Sequence, residues 1–228
     1  MSVPIAVRPG GLDIPCRGVL FDCDGVLVDS TASGETAWTE WARRYDLDPA
    51  QVLRGVHGRR SADTVRRFVP SARFACALQA IEAIEIGTAA TTAGIAGAAQ
   101  LLAGLPPNWA VVTSASPALA TTRLDAAGLP PPPVLISAAD VAVGKPAPNG
   151  YLEAARRLGL PISDCVVFED SANGVQAGHA AGAVRVIGVG ERALATEAEI
   201  VVRDLTGIRW EHDSLVILAG SMLRPPES

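Results

Sequence analysis

Hydrophobic positions along the chain fall into two textures. Near the N-terminus a short apolar run, Val19-Leu20-Phe21, ends at Asp22. From Trp109 onward such runs recur: Trp109-Ala110-Val111-Val112-Thr113, Val134-Leu135-Ile136, Cys165-Val166-Val167-Phe168, Val184-Arg185-Val186-Ile187-Gly188-Val189 and the short Ile200-Val201-Val202. Between them lie helical stretches, Pro117 to Ala127 stopped by Gly128 and Asn149 to Leu158 stopped by Gly159. Continuous apolar strands alternating with helices predict a parallel sheet covered on both faces. Residues 32 to 103 read differently, being mostly helix formers with turns at Asp46-Leu47-Asp48-Pro49 and Pro70-Ser71. There Trp38, Trp41 and Tyr45 recur at helical spacing, which predicts an aromatic stripe packed inside a small helical bundle.

The flanks carry weaker signals. Residues 1 to 17, with Pro4, Pro9, Gly10, Gly11 and Pro15, predict a loosely ordered lead-in. Ile208 to Glu211 and Leu215 to Leu218, around His212-Asp213-Ser214, predict a hairpin at the sheet edge. No internal repeat is present. The expected fold is α/β: a Rossmann-like doubly wound parallel sheet core, residues 1–31 and 104–228, with an inserted α-helical cap domain, residues 32–103. Inserted directly after the first strand, that cap should sit over the carboxyl ends of the strands and act as a lid.

Composition narrows the function classes. A chain of 228 residues suits a core domain carrying a smaller one. Apolar content of 49% and a mean hydropathy of +0.27 supply a full core and argue against disorder. A net charge of −5 and a pI near 5.2 provide no basic face for nucleic acid or an anionic membrane. Cys16, Cys23, Cys76 and Cys165 are scattered without a Cys-x-x-Cys pair, as expected of buried thiols in a reducing cytoplasm. The N-terminus lacks the charged, apolar and small-residue regions of a signal peptide. The Gly87 to Gly104 stretch is too polar and too short to span a membrane.

The chemistry concentrates at predicted strand ends. In Phe21-Asp22-Cys23-Asp24-Gly25-Val26 two carboxylates stand two positions apart, on one face of an extended chain where it turns toward the ligand crevice of an open α/β sheet. Carboxylates this close repel, so they need a cation, a shared proton or both. Alone, Asp-x-Asp-Gly also reads as an ordinary turn. Three further segments raise its meaning. Thr113-Ser114-Ala115-Ser116 offers hydroxyls and backbone N–H groups near a helix start, suited to phosphate. Gly144-Lys145-Pro146-Ala147-Pro148 presents a lysine on a proline-stiffened backbone, and Glu169-Asp170-Ser171-Ala172-Asn173-Gly174 adds two acids. Singly these are N-caps, a solvated lysine and a capping pair. In this order, each at a strand end, they make one site.

With those four segments the sequence resembles the haloacid dehalogenase superfamily, specifically its small-molecule phosphatases with a helical cap, over Gly18 to about Val202. The resemblance implies that Asp22 is the nucleophile that attacks phosphorus and that Asp24 protonates the leaving oxygen, then deprotonates water. It implies that Ser114, with the N–H groups of Ala115 and Asp24, holds the phosphoryl oxygens and that Lys145 neutralises them; Thr113 is the alternative hydroxyl, with Ser114 preferred. Mg²⁺ would be bound by Asp22, the carbonyl of Asp24 and Asp170, with Glu169 nearby or ligating. The charge balance agrees, because three carboxylates against one lysine leave a deficit that a phosphate dianion deepens and a divalent cation relieves. All-oxygen ligation beside phosphate suits magnesium rather than zinc.

Substrate choice falls to the cap. Gly55-Val56-His57-Gly58-Arg59-Arg60-Ser61-Ala62-Asp63 resembles the specificity loop of members acting on sugar or polyol phosphates, with His57 or Arg59 reaching the distal part of the substrate. The related β-phosphoglucomutases carry a histidine on the first cap helix, where this chain has Gly34, and no histidine lies between Ser30 and Val56. Asn149 replaces the aspartate usual after Gly-Lys-Pro-Ala-Pro, a change expected to affect a helix cap. The expectation is therefore a cytoplasmic Mg²⁺-dependent phosphatase acting on a small phosphorylated metabolite. Mutase-type phosphoryl transfer and a catalytically idle binding protein are the alternatives.

Overall fold

The computed structural model describes residues 6–8 and 10–226. Two short strands, β1 (Ala6–Arg8) and β2 (Gly11–Pro15), precede β3 (Gly18–Phe21). The two-residue β4 (Val28–Asp29) leads into four helices, α1 (Thr31–Arg44), α2 (Pro49–Leu53), α3 (Ser61–Phe68) and α4 (Phe74–Ala89), and β5 (Ala93–Gly94) brings the chain back. There follow α5 (Ala98–Gly104), β6 (Trp109–Val112), α6 (Pro117–Ala126), β7 (Val134–Ile136), α7 (Asn149–Leu158), β8 (Cys165–Glu169), α8 (Ala172–Ala181), β9 (Arg185–Val189), β10 (Ile200–Val202), β11 (Ile208–Glu211), β12 (Ser214–Leu218) and β13 (Met222–Arg224).

The main sheet has the order β13-β10-β9-β8-β3-β6-β7, parallel throughout except for β13. From β3 the chain reaches β6 on one side and β8 on the other, so the winding reverses at β3. Ligands bind outside the carboxyl end of the sheet at such a reversal. Asp22 is the next residue, and its N–H still bonds to the Phe168 carbonyl at 2.9 Å.

Strand alternation splits the apolar side chains between two cores. Val19, Phe21, Val111 and Phe168 face α5 and the strands β2, β11 and β12, with Phe21 stacked on Phe168 at 5.2 Å. Leu20, Ala110, Val112 and Val167 face α7 and α8 through Tyr151, Ala154, Ala155, Val175 and Ala177. The helices start and stop where local chemistry dictates. Ser116 and Ser171 cap α6 and α8 by accepting from Leu119 and Gly174 N–H, and Gly159 and Gly182 end α7 and α8 in the left-handed region.

Two readings of the flanks are corrected. Residues 10–17 are not a loose lead-in: β2 pairs with β12 from Pro15↔Ser214 to Gly11↔Leu218. Its alternating Leu12 and Ile14 are buried, and Gly11 and Pro15 stand at its ends, where a strand tolerates them. The part of that reading on residues 1–5 and Pro9 lies outside the described residues. The hairpin of β11 and β12 is present, turned by His212 and Asp213 at φ 47° and 58°. It belongs to a separate four-stranded antiparallel sheet, order β1-β2-β12-β11, rather than to the main sheet's edge, which β13 occupies.

Helices α1 to α4 enclose their own apolar cluster of Ala37, Trp38, Trp41, Ala42, Val52, Val65, Ala77 and Ile81. Trp41 is wholly buried, with its ring 5.3 Å from Trp38 and 5.0 Å from Tyr45 and its Nε1 donating to the Ala77 carbonyl at 2.8 Å. By contrast Ala98, Leu101 and Leu102 of α5 pack in the sheet core. Both crossings between the two units run through the antiparallel pair β4–β5, Val28 opposite Gly94 and Asp29 opposite Ala93. No helix among the described residues is long and apolar enough to cross a membrane.

Candidate active site

The end of β3 delivers Asp22, itself buried, to the wall of a cleft. Its Oδ1 lies 2.9 Å from Lys145 Nζ, and both side chains are about 95% buried. Lys145 also donates to Glu169 Oε1 at 2.6 Å and to the Val112 carbonyl at 3.0 Å. One ammonium thus joins the ends of β3, β6 and β8. Burial opposes its charge, but Asp22 and Glu169 outweigh burial and hold Lys145 protonated well above the usual lysine range.

Glu169 is fully buried and receives five donors. Oε1 takes Lys145 and the Tyr151 hydroxyl at 2.7 Å; Oε2 takes the N–H groups of Asp170 and Ser171 and the Ser171 hydroxyl, at 3.0 to 3.2 Å. Asp170 receives Arg192 Nη2 at 2.8 Å. Burial first, then the charge of Glu169, pushes the carboxyl of Asp22 well above its ordinary range and that of Asp170 up to about 7. Ligand oxygens of Asp22, Glu169 and Asp170 all lie within 4.8 Å of one another. Hard oxygen donors, crowded and repelling, fit a divalent cation of the magnesium or calcium kind.

Asp24 occupies the other side of the turn. Its Oδ1 accepts from Ser30 Oγ at 2.6 Å and from Arg123 Nη1 at 2.9 Å, while Oδ2 has one long contact from Thr113 Oγ1 at 3.5 Å. Gly25 makes this turn possible, with φ +81° and a position where a Cβ would come 2.2 Å from Asp170 Oδ2. Thr113 Oγ1 also accepts the Ala115 N–H at 3.0 Å, so the N–H that the resemblance aims at phosphate is engaged locally. Ser114 lines the cleft and donates to the Gly58 carbonyl at 3.0 Å. Asn149 is the first residue of α7, where no side chain caps the helix.

An 80 Å³ cleft brings Asp22, Asp24, Ser114, Ala115 and Asp170 together with His57 and Arg59 of the helical layer. The loop carrying His57 is seated by several ties. Ser114 and Asn173 donate to the Gly58 and His57 carbonyls, and Arg60 reaches the Val141 and Ala142 carbonyls at 3.1 Å. Gly58 sits so close to Ser171 that a Cβ would lie 2.2 Å from its Oγ, and its φ is +69°. His57 Nε2 stands 3.4 Å from Glu35, and Arg192 Nη1 lies 3.1 Å from the same ring. Burial and the Arg192 charge lower the His57 pKa, against the pull of Glu35.

Several residues of this site were not picked out by sequence reasoning: Glu35, Glu85, Arg123, Tyr151 and Arg192. Glu85 and Arg123 left a trace. Glu85 interrupts the apolar row Ala77, Ile81, Ala89 at four-residue spacing, and Arg123 lies four residues from Leu119 on the buried side of α6. A charge in such a row needs a buried partner.

A sequence model of haloacid dehalogenase-like hydrolases matches residues 16–182. The chain is 39% identical over 203 residues to hexitol phosphatase A of Escherichia coli K12, covering 85% of this chain and 93% of that one. It is 34% identical over 192 residues to 2-deoxyglucose-6-phosphate phosphatase 1 of Saccharomyces cerevisiae, covering 73% and 77%. A β-phosphoglucomutase structure from Clostridium difficile superposes with a TM-score of 0.75 at 18% identity, over 84% of this chain and 92% of the other, a likeness of fold.

Proposed function

This chain belongs to the haloacid dehalogenase-like hydrolases, and we propose from that premise that it hydrolyses the phosphate monoester of a small sugar or polyol. The observation that carries the reading is the Asp22–Lys145 pair at the sheet's reversal point, 2.9 Å apart and shut away from water beside Asp24 and Asp170. Similarity to hexitol and 2-deoxyglucose-6-phosphate phosphatases supports the substrate class.

In this reading the Asp22 carboxylate attacks phosphorus in line and the ester P–O bond breaks. The departing oxygen takes a proton from Asp24, leaving an aspartyl-phosphate. Water then attacks that phosphorus, gives its proton back to Asp24, and the Asp22–phosphorus bond opens to release phosphate. Lys145 and Ser114 bind the phosphoryl oxygens as charge accumulates there. Asp22, the Asp24 carbonyl and Asp170 would hold Mg²⁺, which when bound offsets the negative charge of the phosphoryl group. Glu169, its oxygens filled by five donors, orients Lys145 and Tyr151 rather than ligating directly.

Residues between Ser30 and about Thr92 form the cap, with His57 and Arg59 meeting the distal end of the substrate. The packing of α5 in the sheet core supports that boundary over one at residue 103. Phosphate then goes to water rather than to a second sugar, because Gly34 lines the cleft where a mutase carries its histidine. We assign the enzyme to the cytoplasm on its four free thiols.

The test is phosphate release from hexitol 6-phosphate, 2-deoxyglucose 6-phosphate and 4-nitrophenyl phosphate in Mg²⁺, by wild type and Asp22→Asn. Wild-type turnover that vanishes in a folded Asp22→Asn protein is expected; hydrolysis surviving in that variant removes the reading. Glucose 6-phosphate formed from β-glucose 1-phosphate and a bisphosphate primer, in place of free phosphate, would assign the chain to the mutases.

A further inference from the structure

We propose that Arg123 is a positioning residue, tying the Asp24 carboxylate to the buried cap carboxylate Glu85 so that the seating of the cap sets the aim of Asp24. The inference rests on the phosphatase reading above.

Arg123 lies on α6 of the core and Glu85 on α4 of the helical layer, and each is 5% exposed. The guanidinium forks between two elements: Nη1 to Asp24 Oδ1 at 2.9 Å and Nη2 to Glu85 Oε1 at 3.3 Å. The second oxygen of Glu85 takes the Ser61 hydroxyl of α3 at 3.3 Å. A continuous chain, Ser61–Glu85–Arg123–Asp24, therefore runs from two cap helices to the reacting end of β3.

Packing alone does not call for this arrangement. Each charge takes a place in an apolar helix row, Glu85 between Ile81 and Ala89, and Arg123 beside Leu119, Ala120 and Leu124, and turns its head toward the cleft. Desolvating an ion pair there is unfavourable compared with a hydrophobic pair of similar volume, and the best-attested use of such pairs is to specify one arrangement. A lysine ammonium, a point charge on a flexible stem, lacks the planar fork that fixes the direction of one acceptor relative to the other.

The consequence falls on Asp24. Ser30 and Arg123 hold Oδ1, whereas Oδ2 keeps the single 3.5 Å contact from Thr113. A carboxyl that hands a proton to a leaving oxygen must present one oxygen within hydrogen-bond reach. Fixing Oδ1 fixes the direction of Oδ2, and lifting the cap removes the anchor that keeps Arg123 in place. Asp24 is thus aimed when the cap is down over substrate and slack when it is up.

Leaving-group dependence separates aiming from simple adhesion. An alcohol leaves only with a proton, whereas 4-nitrophenolate leaves without one, and kcat/KM reports the step that forms the aspartyl-phosphate. Arg123→Met should lower kcat/KM about 10²-fold on the better of hexitol 6-phosphate and 2-deoxyglucose 6-phosphate, and about threefold or less on 4-nitrophenyl phosphate. Glu85→Gln, which keeps shape and leaves Arg123 in place, should show the same selectivity at about tenfold, and the double variant should be no worse than Arg123→Met. Arg123→Lys should recover part of the loss. Melting temperatures identify unfolded variants, and Glu85→Gln carries the test should Arg123→Met fail to fold. Equal losses on both kinds of ester, or effects that multiply in the double variant, overturn the proposal while leaving the phosphatase reading intact. A wild type inactive on all three esters overturns the phosphatase reading itself.

Discussion

Replacing Lys145 with methionine tests the charge balance of the pocket most directly. The ammonium lies 2.9 Å from Asp22, 2.6 Å from Glu169 and 3.0 Å from the Val112 carbonyl. Methionine keeps an apolar stem beside Tyr151 but removes the cation. Glu169 retains four of its five donors; Asp22 loses its charged partner and is left facing Glu169 and Asp170. Removing one member of a buried pair costs about 3–5 kcal/mol, against at most about 0.5 kcal/mol for a solvated surface lysine. For a chain of this size that corresponds to a fall in Tm of roughly 6–20 °C. The measurement is thermal and urea unfolding by circular dichroism at neutral pH in chelator, with activity followed in parallel. Adding Mg²⁺ should restore part of the stability, since a bound cation favours the folded state. Turnover should stay down about 10²–10³-fold, the usual effect of losing one group that stabilises transition-state charge. A Tm within about 2 °C of wild type would refute the reasoning, because Asp22 must then either stay charged without its cation or take up a proton, and both cost stability at neutral pH.

Trp41→Ala should destabilise the protein by about 3–5 kcal/mol in urea unfolding, because the indole is wholly buried between Trp38 and Tyr45; an unchanged midpoint would contradict its place in the cap core. Burial pushes the thiols of Cys16 and Cys165 up to about 12 and that of Cys23 well above its ordinary value, whereas Cys76 is exposed. A maleimide near neutral pH should therefore add one label to native protein, at Cys76, and four after unfolding; several native labels would overturn the burial pattern. Chelation should abolish phosphate release and Mg²⁺ restore it, and Asp170→Asn should weaken Mg²⁺ binding by about tenfold or more in calorimetry. Equal affinity in that variant would remove Asp170 from the ion's ligands.

Much of the parallel sheet was legible because its strands are continuous apolar runs whose burial leaves few alternatives. Asp22, Asp24 and the Glu169–Asp170 pair were legible for a different reason, standing at or just past the end of such a run, and Lys145 stood out by its Gly-Lys-Pro-Ala-Pro setting before α7. What escaped depends on contacts between distant segments. β2 has only Leu12 and Ile14 as a pattern, too short to outweigh its flanking glycine and prolines, and is ordered by pairing with β12 some two hundred residues later. Arg192 reaches Asp170 across 22 positions and Arg123 reaches Asp24 across 99, separations over which residue spacing carries no information. Arg123 and its partner Glu85 leave only a negative trace, a charge where the helix pattern calls for an apolar side chain. Boundaries suffered likewise: α5 reads as one more helix of the insertion, and its membership of the sheet core is set by Ala98, Leu101 and Leu102 meeting strands elsewhere.

The pairing of Val28 with Gly94 has a reach beyond this one molecule. Departure and return of some sixty residues occur a single strand spacing apart, about 5 Å. Geometrically, the sheet therefore meets its insertion at one narrow doorway, which a tight two-residue turn would also close. The two units are thus joined covalently at one place only, and their remaining ties, Arg123 to Glu85 among them, are non-covalent. Grafting another enzyme's insertion at these two positions, with a carboxylate kept in the place of Glu85 for Arg123, offers a way to redirect substrate choice.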